Sequence, residues 1–275
     1  MTRHKHLIAL VCLMLMISIG LNTTIYRAFK VNPYQIEVNY TTLKSEQIPE
    51  TMNDVTLVYF TDLQFGEFQK EKQTKKIFNK IKSLNPDVLL FGGDLIEEGY
   101  QINEDQIQFI VSEFNELECP LGKFAVYGEK DLNNSVVSQI YSQSQIEVLS
   151  NSYTKITNGS ASGIQLMGLT DNVDFINQNA SSQLYTLLMV HQPDLLLDCT
   201  SQAINYALAG HSHGTQVTVP IKGGYKDVKG ATKLNRSNIE NLPFNYLIST
   251  GVGCTNIQAR LMAPARIEYI ILKHK

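Results

Sequence analysis

An apolar run from Leu7 to Leu21, interrupted at Ser18 and Gly20, opens the chain behind a basic flank of Arg3, His4, Lys5 and His6. A positive region followed by a hydrophobic core marks a targeting or anchoring segment. The run is shorter than the roughly 18–20 residues of a membrane span, and reaches that length when Asn22-Thr23-Thr24-Ile25 lies in the interface. No small-x-small cleavage site follows directly, and Cys12 falls too early to serve a lipoprotein signal. The pattern predicts an uncleaved signal anchor over residues 1–28, ranked ahead of a cleaved signal peptide and of a buried helix. With the basic flank in the cytoplasm, the rest of the chain faces outward.

Residues 29–50 read as a linker with Pro33 and Pro49, and admit an edge strand at Tyr34 to Val38. The folded domain, 51–275, is expected to start near Thr51. Val55 to Phe60 is β-branched and aromatic, the signature of a buried strand. A helix follows from about Gln69 to Leu84, with Ile77, Phe78, Ile81 and Leu84 on one face, and Asn85-Pro86-Asp87 stops it. Val88 to Phe91 is a second strand, Glu104 to Glu116 a second helix and Lys123 to Tyr127 a third strand. Alternating strands and helices predict a mainly parallel sheet with helices on its face.

The second half is richer in strands: Ile146–Leu149, Tyr153–Ile156, Ile164–Leu169, Leu184–Val190, Tyr206–Ala209, Tyr246–Ser249 and Arg266–Leu272. The polar, glycine-containing segment between Gly223 and Asn241 is read as a mobile loop near the site. Tyr100, Tyr141 and Tyr225 are read as packing or surface residues. There is no internal repeat or low-complexity tract.

Composition narrows the function. The formal net charge is -3, with no basic stripe, so nucleic acid is not an expected partner. The four cysteines have no Cys-x-x-Cys spacing and indicate neither a zinc knuckle nor a dense disulfide framework.

The chemistry gathers at strand ends. In parallel sheets, sites lie beyond the carboxyl ends of the strands, and the first three strands deliver Asp62, Asp94 and Glu129 there. His191 ends the strand Leu184–Val190, and Gly210-His211-Ser212-His213-Gly214 follows Tyr206–Ala209. Histidines two residues apart on extended backbone share a side. This mixed oxygen and nitrogen set suits Mn, Fe, Zn or Mg rather than calcium alone.

The order Thr61-Asp62-Leu63-Gln64, Gly93-Asp94, Gly128-Glu129-Lys130-Asp131, Val190-His191 and Gly210-His211-Ser212-His213 resembles the calcineurin-like metallophosphoesterases over roughly residues 54–272. The resemblance implies an α/β fold, a four-layer α-β-β-α sandwich behind the membrane helix. It also implies two divalent ions about 3.5–4 Å apart, with a metal-bound hydroxide attacking phosphorus. Asp94 bridges the ions in that scheme, Asp62 and His213 hold the first, and His191 and His211 hold the second. An anchored domain of this kind is similar to the bacterial membrane-associated branch acting on phospholipids or cell-envelope phosphodiesters.

Two positions depart from the family pattern. Gln64 stands where the first motif has histidine, a weak neutral ligand at best. Glu129-Lys130 stands where the third motif has Asn-His. Glu129 binds a second ion more strongly than an amide does, while Lys130 brings a charged donor of different reach. Two readings stay open: an esterase using Lys130 as electrostatic helper, with Asp131 orienting it, or a site in which Lys130 fills metal space and one ion or none binds. The second leads to a non-catalytic protein binding an envelope ligand or partner. Arg260 is a further candidate for phosphate contact.

Overall fold

The computed structural model describes residues 2–219, 223–224, 228–235 and 239–275. Within the Gly223–Asn241 segment, Tyr225 and positions 226–227 and 236–238 lie outside the described residues.

Helix α1 (Thr2–Lys30) runs for 29 residues, about 44 Å at 1.5 Å per residue. It is long and apolar enough to cross a membrane, and Leu7, Leu10, Met14, Ile17 and Leu21 lie exposed along it. The helix continues through Asn22-Thr23-Thr24, where Asn22 Nδ2 and Thr24 Oγ1 donate to the carbonyls of Ser18 and Gly20.

The first half builds the expected alternation of strands and helices and adds to it a long first strand and a fourth helix. Its elements are β1 (Ile36–Ser45), β2 (Thr56–Phe60), α2 (Glu71–Leu84), β3 (Val88–Phe91), α3 (Glu104–Asn115), β4 (Lys123–Ala125), α4 (Ser135–Gln143) and β5 (Glu147–Val148). The second half adds β6 (Ser152–Thr157), β7 (Gly163–Leu169), α5 (Val173–Asn179), β8 (Thr186–Val190), β9 (Tyr206–Ala209), β10 (Thr218–Val219), β11 (Gly223–Gly224), β12 (Asn245–Ile248) and β13 (Ala265–His274).

Among the described residues the main sheet has the order β1-β13-β2-β3-β4-β5, and the second β12-β9-β8-β7-β6. Pairing is parallel from β2 through β5 and from β7 through β9 to β12. Alternation along the strands sets the layers. Val58, Phe60, Leu89 and Phe91 pack outward with Phe78, Ile81, Ile110 and Phe114 of the helices. Leu57, Tyr59, Val88 and Leu90 point the other way, against Leu166, Leu187, Met189 and Leu208 of the second sheet. The far face of that sheet packs with Ile176 of α5 and with Leu196. The result is helix, sheet, sheet, helix, the sandwich that the sequence implied.

The stretch expected as a linker carries a ten-residue strand. Every residue of β1 pairs with β13, from Ile36↔Ala265 to Ser45↔His274. Its mixed, mostly unburied pattern is that of an edge strand, which hides it from a search for buried apolar runs. Because β13 runs antiparallel to β2, with Glu268 opposite Tyr59, the starts of β1 and β13 lie at the edge where β2, β3 and β4 finish. The end of α1 therefore arrives at the edge that carries the site. There Arg260 N donates to Ala28 O at 2.9 Å, and Asn32 Nδ2 donates to Arg260 O at 2.9 Å.

Candidate metal centre

Two of the three acidic strand ends, and the His-x-His segment, turn sharply. Asp62 (φ 57), Gln64 (φ 51), Asp94 (φ 59), His211 (φ 65) and His213 (φ 48) all hold left-handed backbone. For non-glycine residues this costs on the order of 1–3 kcal/mol each and clusters at functional sites. Asp62 N and Gln64 N donate to the carbonyls of Gly93 and Asp94, which locks the first loop to the second. His211 N donates to Asp62 Oδ2 at 3.0 Å, so one carboxylate joins the edges of the two sheets. The loops pass so closely that a side chain at Gly128 would begin 2.1 Å from Asp94 Oδ1. Only glycine fits there.

Asp94, Glu129, His191 and His211 each aim a ligand atom at one point, all within 4.8 Å of one another. The tautomers follow from backbone carbonyls, which only accept. His191 Nδ1 donates to Gly92 O at 2.7 Å, turning Nε2 inward. His211 Nε2 donates to Lys229 O at 2.7 Å, turning Nδ1 inward. These inward nitrogens lie 3.2 Å apart. Glu129 Oε2 stands 3.1 Å from His211 Nδ1 and 3.6 Å from His191 Nε2, while Asp94 Oδ1 is 3.5 Å from His191 Nε2. Ligand atoms converging at such distances can hold a cation between them once the His191 proton is displaced. Burial opposes a charge on His191, yet Asp94, Asp62 and Glu129 lift its imidazole to about 10. Burial likewise opposes ionising Asp94, but His191 and Lys130 hold its carboxyl far below the usual range. These residues fit a divalent ion, with carbonyl-held imidazoles of the kind that orient metal ligands.

Asp62 and His213 stand beside this cluster. His213 Nε2 is 3.4 Å from Asp62 Oδ1. Among the described residues, Asp62 Oδ1 and His213 Nδ1 are buried without a hydrogen-bond partner. Burial, with Arg260 and Lys130 nearby, pushes His213 down to about 4 despite Asp62. Gln64 is fully buried, and it faces Lys130 rather than open space. Gln64 Nε2 donates to Asp94 Oδ2 at 2.7 Å, and Gln64 Oε1 accepts from Lys130 Nζ at 3.3 Å. Lys130 Nζ also donates to Asp94 Oδ2 at 2.8 Å. The residues around this second position do not fit another divalent ion beside that ammonium.

Two expectations are corrected here. Asp131 does not serve Lys130. Its buried carboxylate accepts from Asp94 N (2.7 Å), Gly128 N (3.0 Å), Leu95 N (3.0 Å) and Tyr141 OH (3.4 Å). It clamps the third loop onto the second, and burial together with the Asp94 charge pushes it up to about 6. Arg260 does not reach a phosphate. It is fully buried, and its guanidinium donates to the carbonyls of Thr250, Gly251, Gly253, Ala263 and Pro264. It holds together the late loop that backs Asp62, whose carbonyl accepts from Gly253 N at 2.8 Å.

The sequence reading missed Gln192, whose Nε2 holds Glu129 Oε2 at 3.1 Å, and the carbonyls of Gly92 and Lys229. Only adjacency to His191 could have flagged Gln192; backbone acceptors leave no trace in residue type. Part of the segment expected to be mobile is tied down, because Asp194 accepts from the backbone of Thr232, Lys233 and Leu234. The centre opens into a cleft of about 530 Å³ lined by Gln64, Glu97, Glu98, Glu129, Lys130, His211, His213, Val228, Lys229, Thr255 and Asn256.

A two-sheet sandwich with carboxylates and imidazoles at one strand edge is an arrangement able to hold a metal ion for hydrolysis. The chain is similar over most of its length to proteins named as metallophosphoesterases. It is 26% identical over 254 residues to the uncharacterized metallophosphoesterase YkuE of Bacillus subtilis, covering 88% of this chain and 87% of that one. An uncharacterized metallophosphoesterase of Aquifex aeolicus is 24% identical over 258 residues, covering 88% and 94%. The UDP-2,3-diacylglucosamine pyrophosphatase LpxG of Chlamydia trachomatis is 22% identical over 223 residues, covering 62% and 66%. No family model matches the chain.

Proposed function

We propose that this protein hydrolyses a phosphate ester or anhydride presented at a membrane surface, a phospholipid or cell-envelope lipid phosphate, outside the cytoplasm. The observation that carries this reading is the docking of the end of α1 on the late loop through Ala28, Asn32 and Arg260. That loop touches Asp62 through Gly253. A helix crossing a bilayer thereby holds the cleft near the headgroups. The similarity to a pyrophosphatase named for a diacylglucosamine nucleotide supports a lipid-linked phosphate.

When bound, a divalent ion supplies Lewis-acid stabilisation of the phosphoryl charge and acidifies water. Asp94, Glu129, His191 and His211 would hold it. Asp131 and Gln192 keep Asp94 and Glu129 in place, and the Lys130 ammonium faces the cleft with a positive charge for phosphoryl oxygens. Burial alone lowers the Lys130 affinity for its proton, but Asp94, Asp62 and Glu129 outweigh it and hold the ammonium charged.

The test is phosphate release by the full chain in phosphatidylcholine vesicles containing a lipid diphosphate, with Mn supplied. The expected result is metal-dependent release, lowered at least tenfold when residues 1–30 are removed, while turnover of soluble bis(p-nitrophenyl) phosphate persists. No release from either substrate removes the reading.

The position of Lys130 favours one competitor, a weakened or inactive protein that binds an envelope ligand or partner. Gln64→His with Glu129→Asn and Lys130→His separates the two. A wild type at least as active as this triple variant excludes the competitor.

A further inference from the structure

We propose that the centre holds one divalent ion, and that the Lys130 ammonium permanently takes the place of a second. The two oxygens of Asp94 are divided between these charges. Oδ1 faces His191 Nε2 at 3.5 Å, on the side of Glu129 and His211. Oδ2 accepts from Lys130 Nζ at 2.8 Å and from Gln64 Nε2 at 2.7 Å. With both N–H groups on Oδ2, that oxygen has no lone pair left to bridge to another ion.

Gln64 completes the arrangement. Its amide carbonyl accepts from Lys130 at 3.3 Å while its amide nitrogen donates to Asp94. The opposite orientation would set an N–H against the ammonium and an oxygen against a carboxylate, so the network fixes which way the amide points. Gln64 and Lys130 thus act as a matched pair, bonded to each other and both donating to Asp94 Oδ2.

Charge supports the same count. Asp62, Asp94 and Glu129 bring three negative charges, which one divalent ion and one ammonium neutralise. A second divalent ion on Asp62 and His213 would face the ammonium across the shared Asp94 carboxylate, unscreened because Asp62 and Asp94 are fully buried. Asp62 Oδ1, buried and without a hydrogen-bond partner among the described residues, is left to face the occupied position and the ammonium.

The inference concerns ion content and rests on the phosphoesterase reading only for the presence of a metal. The full chain in detergent is stripped with a chelator, loaded with Mn, and measured by elemental analysis and electron paramagnetic resonance. One ion per chain with the hyperfine sextet of isolated Mn is expected. Gln64→His with Lys130→His is expected to bind a second ion and show an exchange-coupled spectrum. Two ions per chain, or a coupled spectrum, in the wild type overturns the proposal, as does a wild type that binds no Mn. A folded double variant that stays at one ion overturns the role of Lys130. If that variant does not fold, the wild-type count and spectrum decide alone. One uncoupled ion without turnover would remove the esterase reading and leave this inference standing; a coupled pair with turnover would do the reverse.

Discussion

Two buried histidines at the site have opposite electrostatic surroundings. His213 is pushed down to about 4, and His191 is lifted to about 10, from the same ordinary value of 6.5. Between about pH 6.5 and 4 the unfolded chain takes up a proton that folded His213 refuses, so stability falls with acid. Between about pH 6.5 and 10 folded His191 keeps a proton that the unfolded chain has lost, so that stability falls with alkali. Metal-free protein should therefore melt at a lower temperature on both sides of neutrality. A bound ion replaces the His191 proton, so saturating Mn should abolish the alkaline decline and leave the acid one. An unchanged alkaline limb would show that the ion does not sit on His191. Asp131→Asn sets an amide against backbone N–H groups at a fully buried position. It should cost about 1–3 kcal/mol in urea denaturation and weaken Mn binding through the displaced Asp94. A loss of stability with unaltered affinity would confine Asp131 to the fold.

Elements differ in how openly the sequence declares them. Strands β2, β3, β8 and β9 are buried runs, and each ends on a residue of the centre, so both strand and site were legible. Asn134 marks the start of α4, where its side chain accepts from Val136 and Val137. Helix α5, seven residues long, carries too few turns for a clear apolar face. Strand β1 was glimpsed only over its first residues, because it lies at a sheet edge and alternates weakly. The roles of Asp131 and Arg260 were misread for one physical reason. A charged residue near a site looks like a ligand contact in sequence, whereas backbone groups in these tight loops need buried partners as much as a substrate does. Gly128→Ala tests the closeness of the loops directly. Its new carbon would fall 2.1 Å from Asp94 Oδ1, so Mn affinity should drop tenfold or more in titration calorimetry while circular dichroism stays native. Unimpaired binding would mean the third loop has more room than the packing allows.

At the scale of the whole molecule, one edge of the sandwich gathers the strand ends, the cleft and the end of α1. The sandwich itself was readable from the order of strands and motifs. The closeness of α1 and the site was not, because it depends on the parallel pairing of β1 with β13, whose partners lie 229 residues apart, as Asn39 and Glu268 do. Asn32 and Arg260 are similarly remote in sequence yet bonded. Such pairings bring the first and last segments of the chain to the edge of the candidate centre without any motif.

The central claim is that side chains scattered from Asp94 to His211 share a cation at that edge. Anomalous diffraction from crystals soaked in Mn tests it most directly. The account expects one strong peak within coordination distance of His191 Nε2, His211 Nδ1, Asp94 Oδ1 and Glu129. A map with no peak there, or with its strongest peak away from these four residues, would contradict it.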